Sequence, residues 1–329
     1  FPATDHGLLD GCEGVDDLPT FKLSKNFYDA CTGLQQPLED MFYNLKPTPS
    51  CIISDKTYHG RQLVTHNLCA FKIHEKLSDF DTFVLPDLPV NISIMKSQLP
   101  GLFNPRKSVK GKESKSVRKV WCIGPLSNSN ESDLDRAQRG SKDSINNDGY
   151  RNWLDLQDNH SVIYACVGSI TRLKPLQFIE LVFGLEDSQY PFILVLKGGS
   201  RIEEIEKWLD EGGFESRVKG RGVLISEWAS QVLILSHGGG MTHCGWNSTV
   251  EGVSAGVSMI TWPQFVEQFF NERLVAQVLG IDVGVRSQRV MHLKDEDDGV
   301  MQVQREDVCT AVKIVMGGGK ERRRKKRKG

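Results

Sequence analysis

Apolar runs and helical patterns alternate regularly in the second half of the chain. Short apolar runs typical of buried parallel strands span residues 162–167, 192–196, 223–225 and 257–261. Helical patterns separate them at residues 175–185, 202–209 and 268–279, and Gly280 takes the usual C-cap position after the last of these. This alternation predicts a parallel sheet covered by helices, which is a Rossmann-like domain that binds nucleotides beyond the carboxyl ends of its strands.

The first half of the chain is weakly patterned. Residues 51–55 form a short apolar run that ends in Asp55, which predicts a buried strand delivering that carboxylate to its carboxyl edge. No clear alternation resumes before the apolar run at 83–86. The division predicted from these patterns is a partial first domain at 1–125, a Ser-, Asn- and Asp-rich linker at 126–149, a second domain at 150–315 and a basic, disordered tail at 316–329.

Composition narrows the class of protein. The chain has 329 residues, which favours two domains, and no apolar stretch approaches the length of a membrane span. Its eight cysteines are dispersed and form no C-x-x-C pair, so neither a zinc site nor a thioredoxin motif is supported. Dispersed thiols fit a reducing compartment. We therefore expect a cytoplasmic protein without stable membrane insertion, and a monomer.

Charge is concentrated at one end of the chain. The formal net charge is −1, yet the last ten residues contain eight basic side chains. Such a run is typical either of a nucleic-acid arm or of a solvated terminus. The second interpretation is favoured, because nothing else in the chain interleaves basic and aromatic residues as a nucleic-acid surface would. No nucleic-acid partner is expected.

The most informative segment lies between Trp228 and Gln268. It reads W-A-S-Q-V, then S-H-G-G-G-M-T-H-C-G-W-N-S-T-V-E-G, and then W-P-Q-F-V-E-Q. A tryptophan can lie flat on a base, and a glycine-rich turn can open a helix whose free N–H groups face a pyrophosphate. A carboxylate, Glu251, follows within about one turn of that helix. The segment predicts a site for a nucleotide diphosphate sugar.

This segment resembles the signature box of plant UDP-sugar-dependent glycosyltransferases. The resemblance implies an α/β fold of the GT-B type, with two Rossmann-like domains of which the N-terminal one is incomplete. It also implies inverting transfer of glucose from UDP-glucose to a hydroxyl of a small plant metabolite, such as a flavonoid, terpenoid or hormone, without a metal or other cofactor. The alternative is a non-catalytic UDP-sugar-binding remnant of the family. An NAD-dependent enzyme is disfavoured because no G-x-G-x-x-G follows a predicted strand.

The resemblance also implies roles for single residues at the diphosphate. His243, Asn247 and Ser248 would contact phosphates at the helix start, with Trp246 beside them, and the hydroxyl of Ser169 would approach from the end of the first predicted strand of this domain. Taken singly, the same residues fit plainer roles: a core histidine, a helix N-cap and a strand-ending turn. Together they favour the diphosphate site.

The remaining donor residues serve the base and the two sugars. Trp228 would stack on uracil, and Glu251 would accept hydrogen bonds from the ribose hydroxyls. Backbone amides at Ala229 and Gln231 would read the edge of the base, while Glu267 and Gln268 would bind hydroxyls of the transferred sugar. A glutamine in the last position is associated with glucose donors in this family.

The chain also departs from the family pattern. Serines stand at 230 and 258 where the box normally has proline, and the connection after His237 is shorter than usual, which could shift the helix start. Asp55 resembles the aspartate that orients the family's general-base histidine, but that histidine has no counterpart, since neither His6 nor His59 follows a predicted strand. The basic run replaces the usual C-terminal helix. We therefore expect a truncated member with impaired transfer.

Overall fold

The computed structural model describes most of the second half of the chain and part of the first. The described residues are 3–12, 14, 18, 23–47, 73–86, 88, 90–99, 148–168, 173–196, 202–226, 229–264, 267–285, 287 and 303–326, with only the backbone at 42, 73, 148, 202 and 318–326. Three residues expected in the site, Asp55, Ser169 and Trp228, lie outside this set, as does the strand predicted at 51–55.

The described N-terminal elements are short. They are the 3₁₀ turn Thr4–His6, helices α1 (Ser24–Gly33) and α2 (Gln35–Asn44), the 3₁₀ turn Ile73–Lys76, strands β1 (Thr82–Val84) and β2 (Ser93–Met95), and the 3₁₀ turn Lys96–Gln98. Strands β1 and β2 pair antiparallel, with Phe83 opposite Ile94. The parallel strand expected in this half falls at residues that are not described, so the antiparallel pair is the sheet described there.

The second half forms a parallel sheet with helices on both faces. In chain order its elements are α3 (Asp148–Asp155), β3 (Val162–Cys166), α4 (Pro175–Ser188), β4 (Phe192–Val195), α5 (Ile202–Glu211), α6 (Phe214–Arg217), β5 (Gly222–Ile225), α7 (Gln231–Leu235), β6 (Gly238–Thr242), α8 (Trp246–Ser254), β7 (Met259–Thr261), α9 (Gln268–Arg273), a π-helical continuation (Leu274–Leu279), β8 (Asp282–Gly284) and α10 (Arg305–Lys326). The sheet order is β5-β4-β3-β6-β7-β8. The predicted strand and helix alternation is confirmed.

Apolar side chains alternate between the two faces of strand β3. Ile163 and Ala165 belong to a core with Val308 of α10, while Val162 and Tyr164 belong to a core with Leu235 of α7. Both faces of the sheet are therefore buried among apolar side chains, as a parallel sheet covered by helices requires. This burial explains why the strands read as continuous apolar runs in the sequence.

Strand β6 was not predicted from the sequence. Its first three residues are Gly238, Gly239 and Gly240, and the pattern predicted a glycine-rich turn there. The structure makes it a central strand between β3 and β7. A Cβ atom on Gly238 would collide with the carbonyl oxygen of Val162, and one on Gly240 would lie 2.7 Å from Leu235 Cδ2. Glycine is required because the neighbouring backbone and helix approach too closely for a side chain.

The order of the strands fixes where a ligand can bind. Strands β4 and β5 are added on one side of β3, and the chain then crosses to the other side to form β6, β7 and β8. The connections leaving β3 and β6 therefore run in opposite directions from neighbouring carboxyl ends, which opens a crevice between them.

Three boundaries differ from the sequence prediction. Helix α3 begins at Asp148, two residues inside the predicted linker. Helix α9 gives way to π-helical geometry at Leu274, although Gly280 does close it in the left-handed conformation, as predicted. Helix α10 continues to Lys326, so the disordered tail predicted from residue 316 is wrong as far as that residue. Val308, Val312 and Val315 bury one face of α10, and this packing anchors the helix from which the basic segment continues.

Replacing Gly238 by alanine tests the close approach of β3 and β6. Gly238→Ala should lower the free energy of unfolding by about 1–3 kcal/mol or more, because the new methyl group forces the two strands apart. Gly149→Ala is the matched control: nothing lies within 4 Å of a Cβ placed there, and the helix should gain up to about 1 kcal/mol. Urea denaturation measures both. Equal effects would contradict the assignment of β6 as a central strand.

Candidate functional site

His243 lies at the point where the strand order reverses. It follows β6 directly, and Gly168, with φ +87°, follows β3. A Cβ on Gly168 would lie 2.7 Å from both Cε1 and Nε2 of His243, and a Cβ on Gly245 would collide with Nε2. The imidazole is thus held between two glycine backbones at the mouth of the crevice. Any side chain at either glycine would displace it.

Burial controls the charge of this histidine. Desolvation lowers the pKa of His243 to about 4, so the ring is neutral near pH 7. Its Nδ1 atom is buried and lacks a hydrogen-bond partner among the described residues. The family resemblance implied that His243 contacts the phosphates. In the ligand-free chain it offers a neutral polar ring, so its first contribution to an anion is a hydrogen bond and not a positive charge.

Helix α8 presents its N-terminus beside His243. The N-cap is Gly245, which has no side chain to occupy the N–H groups of the first turn. Trp246 opens the helix and is 42% exposed, and Asn247 next to it is also exposed. Unpaired N–H groups and the helix dipole make this end a suitable place for an anion. The geometry therefore places His243, Trp246 and Asn247 in one region, and their contacts with a diphosphate stay a prediction.

A second group joins α7 to α8 through side chains. Gln231 Nε2 donates to Glu251 Oε2 at 2.7 Å, and Ser248 Oγ donates to Gln231 Oε1 at 3.4 Å. Ser248 and Glu251 are three residues apart and so share a face of α8. The sequence assigned only the backbone of Gln231 to ligand recognition, and the structure adds a role for its amide in orienting the carboxylate. Ala229, just before α7, is buried.

The segment expected to bind the sugar begins helix α9. Glu267 is its N-cap residue and is partly exposed. Gln268 is buried, and its Oε1 accepts a hydrogen bond of 2.8 Å from the backbone N–H of Gln264. In the ligand-free chain this amide thus braces the preceding loop. Its predicted contact with a sugar hydroxyl stays a prediction.

Asn271, one turn further along α9, was missed by the sequence analysis. Its Nδ2 donates to the carbonyl oxygen of Cys244 at 2.8 Å, and both residues are buried. The contact ties α9 to the turn between β6 and α8. Its spacing of three residues from Gln268 is the signal that could have pointed to it, since residues three apart share a helix face.

A carboxyl pair beneath the site was also missed. Thr261 Oγ1 lies 3.3 Å from Glu272 Oε1 and 3.0 Å from Asp282 Oδ2. One hydroxyl proton can serve only one of the two acceptors. Burial, reinforced by Asp282, raises the pKa of Glu272 to about 7, against the lowering effects of Arg273 and Thr261. No sequence signal marks this pair, since the two carboxyl groups stand ten positions apart and are brought together by β8 and α9.

The described residues lack two further features, a cluster of metal ligands and a helix that could span a membrane. No group of three or more His, Cys, Asp or Glu side chains in those segments is arranged to hold a metal ion. No helix within the described part of the chain combines the length and apolar character needed to cross a bilayer.

Residues 157–317 match the sequence profile of a family described as UDP-glucoronosyl and UDP-glucosyl transferase. UDP-glycosyltransferase 73C6 of Arabidopsis thaliana is 35% identical over 384 residues, which cover 99% of this chain and 78% of that protein. UDP-glycosyltransferase 73C11 of Barbarea vulgaris is 35% identical over 383 residues, covering 98% and 77%. Both alignments contain more positions than this chain has residues.

A solved structure extends the similarity to the fold. The crystal structure of Glycyrrhiza uralensis UGT73P12, complexed with glycyrrhetinic acid 3-O-monoglucuronide, superposes with a TM-score of 0.75 and 29% sequence identity. The match covers 96% of this chain and 74% of that one. The GT-B type of fold expected from the sequence is confirmed.

The buried carboxyl group of Glu272 predicts a pH dependence of stability. Its pKa is about 7 in the folded chain against a usual value of 4.5, so the folded state holds the proton more tightly. The stabilisation is complete below about pH 4.5 and is lost as the pH rises through 7. Glu272→Gln should remove this loss, because a neutral amide mimics the protonated acid. The free energy of unfolding of the variant, relative to that of the wild type, should therefore rise by up to about 1.4 kcal/mol per pH unit between these limits.

The difference between variant and wild type is the quantity to measure. His243 contributes the opposite slope, since its folded pKa is about 4 and the unfolded chain protonates more readily, but this contribution cancels in the difference. Urea denaturation from pH 4.5 to 7.5 gives the free energies. Glu306→Gln, at an exposed carboxylate on α10, is the control variant. A flat difference for Glu272→Gln would contradict the buried, protonated carboxyl group.

Proposed function

Because this chain belongs to the family of UDP-glucoronosyl and UDP-glucosyl transferases, we propose that it transfers glucose from UDP-glucose to a hydroxyl of a small plant metabolite, with inversion at the anomeric carbon. Glycosyl transfer from a UDP-sugar to an acceptor is the activity of the family. The sugar, the acceptor class and the stereochemistry are the proposed additions. The observation that carries the donor assignment is the meeting of His243, the N-terminus of α8 and the Gln231–Glu251 pair at the switch point of the sheet.

The donor would lie across the carboxyl ends of β3 and β6. Its diphosphate would face the first turn of α8 and the neutral ring of His243, with Asn247 and Ser248 as further donors. Glu251 would accept from the ribose hydroxyls, and the bond from Gln231 Nε2 keeps one of its oxygens oriented for that purpose. Trp228 and Ser169 would complete the uracil and phosphate contacts.

We assign no metal ion to the reaction. As UDP leaves, negative charge develops on the diphosphate, and the free N–H groups and dipole of α8 are already oriented towards it. An approaching diphosphate also favours the protonated form of His243, so binding should raise the pKa of that ring from about 4. The ring would then supply charge only once the donor is bound.

Glucose is favoured as the sugar by Gln268, and the acceptor class is open among flavonoids, terpenoids and hormones. The Glycyrrhiza relative binds glycyrrhetinic acid 3-O-monoglucuronide, which therefore belongs in an acceptor panel. The further proposals are a monomer located in the cytoplasm, without nucleic-acid partners. They rest on the dispersed cysteines and on the composition of the chain.

Catalysis would depend on a base that removes the acceptor proton. Asp55 is proposed to orient such a base, but none of the eight histidines of this sequence takes the family's position on a strand before it. General-base catalysis contributes about 10²–10⁴-fold to a rate. We propose that the 329-residue chain binds the donor well and transfers slowly. The alternative is a chain that binds UDP-glucose without transferring it.

Replacement of Glu251 tests the donor site. Glu251→Gln should weaken the binding of UDP and UDP-glucose by about 1–3 kcal/mol, because the ribose hydroxyls lose a charged acceptor. Glu306→Gln serves as the control. Isothermal calorimetry measures the affinities, and NAD should bind neither protein. Unchanged UDP affinity in the folded Glu251→Gln variant would contradict the ribose assignment, and binding of NAD in place of UDP would contradict the donor class.

A transfer assay tests the reaction itself. The 329-residue chain is incubated with UDP-glucose and a panel of flavonols, terpenoids and glycyrrhetinic acid 3-O-monoglucuronide, and products are followed by mass spectrometry. A glucoside should form at a turnover far below about 1 s⁻¹, the lower end for ordinary enzymes. Ordinary turnover would show that another base is present. Donor binding without any product across the panel would support the binding-only alternative.

A further inference from the structure

We propose that Asn271 is a positioning residue for glycosyl transfer, and that it fixes the turn that receives the diphosphate. The inference rests on the proposed donor site and adds to it a residue outside the signature box. Its single observation is the buried hydrogen bond from Asn271 Nδ2 to the carbonyl oxygen of Cys244.

The turn between β6 and α8 needs such support because its backbone is strained. Cys244 has φ +62°, a left-handed conformation that costs a residue with a side chain about 1–2 kcal/mol. Side chains of the described residues bond to both the N–H and the carbonyl of Cys244. Thr242 Oγ1 accepts from the N–H of Cys244 at 3.0 Å, and Asn271 Nδ2 donates to its carbonyl at 2.8 Å.

Burial makes the second bond hard to replace. Cys244 is fully buried and Asn271 is 8% exposed, so water has little access to the carbonyl if the amide is removed. An unpaired buried carbonyl costs about 1–3 kcal/mol. The peptide group of Cys244 would therefore rotate towards another donor, or the whole turn would shift.

Rotation of that peptide would move the parts that meet a diphosphate. The carbonyl of Cys244 belongs to the peptide that continues into Gly245, the N-cap of α8. The same peptide plane sets the direction of the Gly245 N–H and holds Gly245 against the ring of His243. A change at Asn271 is thus transmitted to both anion-binding elements without touching either one.

Asn271 also links this turn to the sugar end of the site. Its backbone N–H donates to the carbonyl of Glu267 at 3.1 Å, so it stands one helical turn beyond Glu267 and Gln268. Helix α9 therefore begins with the residues proposed for the sugar and, one turn later, braces the turn proposed for the phosphates. The spacing between the two subsites is set by this short rigid element.

Position 271 requires a hydrogen-bond donor as well as a side chain of this volume. Asparagine and aspartate have nearly the same shape, but an ionised carboxylate can only accept hydrogen bonds. In Asn271→Asp, measured at a pH at which the introduced carboxyl group is ionised, two acceptors would face each other at the Cys244 carbonyl. Asn271→Ala removes the donor and also leaves space. Gln277→Ala is the matched control, since Gln277 is an exposed amide further along the same helical segment and bonds to the backbone of Ser93.

Binding of UDP and of uridine by the full chain separates positioning from general destabilisation. Asn271→Asp and Asn271→Ala should bind UDP at least about 10-fold more weakly, equal to the loss of about 1.4 kcal/mol. Uridine, which lacks the diphosphate and is measured by competition at millimolar concentration, should change less than about 2-fold. Gln277→Ala should leave both affinities unchanged.

Each outcome supports or overturns the positioning role of Asn271. Equal losses for UDP and uridine, or no loss for UDP, would overturn the positioning role. Failure of the wild type to bind UDP would overturn the proposed function, and this inference with it, whereas wild-type binding with unselective variants overturns this inference alone. Circular dichroism checks the fold of each variant. Asn271→Ser, whose hydroxyl is too short to reach the carbonyl, replaces a variant that does not fold and should show the same selective loss.

Discussion

The close approach of backbone segments, between β3 and β6 and in the turns that follow their carboxyl ends, is the constraint on which the rest of the structure depends. Gly238 permits β6 to lie against the backbone of β3, and Gly168 and Gly245 leave a slot just wide enough for the ring of His243. A side chain at any of these positions would have to displace a strand or the imidazole. Glycine at these positions therefore permits the close packing at the point where the strand order reverses, and it leaves room for the imidazole of His243.

The electrostatics follow from the same close packing. Burial lowers the pKa of His243 to about 4 and raises that of Glu272 to about 7, so in the ligand-free site near pH 7 the imidazole is neutral and the carboxyl group is about half protonated. The fixed dipole of α8 and the oriented carboxylate of Glu251 remain as its polar determinants. In the proposed donor site a diphosphate would first meet the neutral ring of His243, and its binding would raise the pKa of that ring.

The shortened connection at His237 joins helix α7 to strand β6 through a very short turn. Helix α7 ends at Leu235 and β6 begins at Gly238, so two residues make the crossing. The relatives' alignments contain more positions than this chain has residues, in keeping with shorter connections here. The contacts from Gln231 to Ser248 and Glu251 are nonetheless made, and Thr242 and Asn271 hold the turn at Cys244.

The sequence by itself determined the parallel sheet and the UDP-sugar class of the family, and it predicted the donor residues, because apolar periodicity and the signature box are local properties of the chain. It could not assign β6, since glycine carries no pattern and becomes a strand only when flanked by β3 and β7. It also did not predict helix α10, because the packing that anchors this helix comes from α4, far away along the chain. The hydrogen bond from Asn271 to Cys244, and the contacts of Glu272 and Asp282 with Thr261, were decided by tertiary structure, because each joins separate secondary-structure elements.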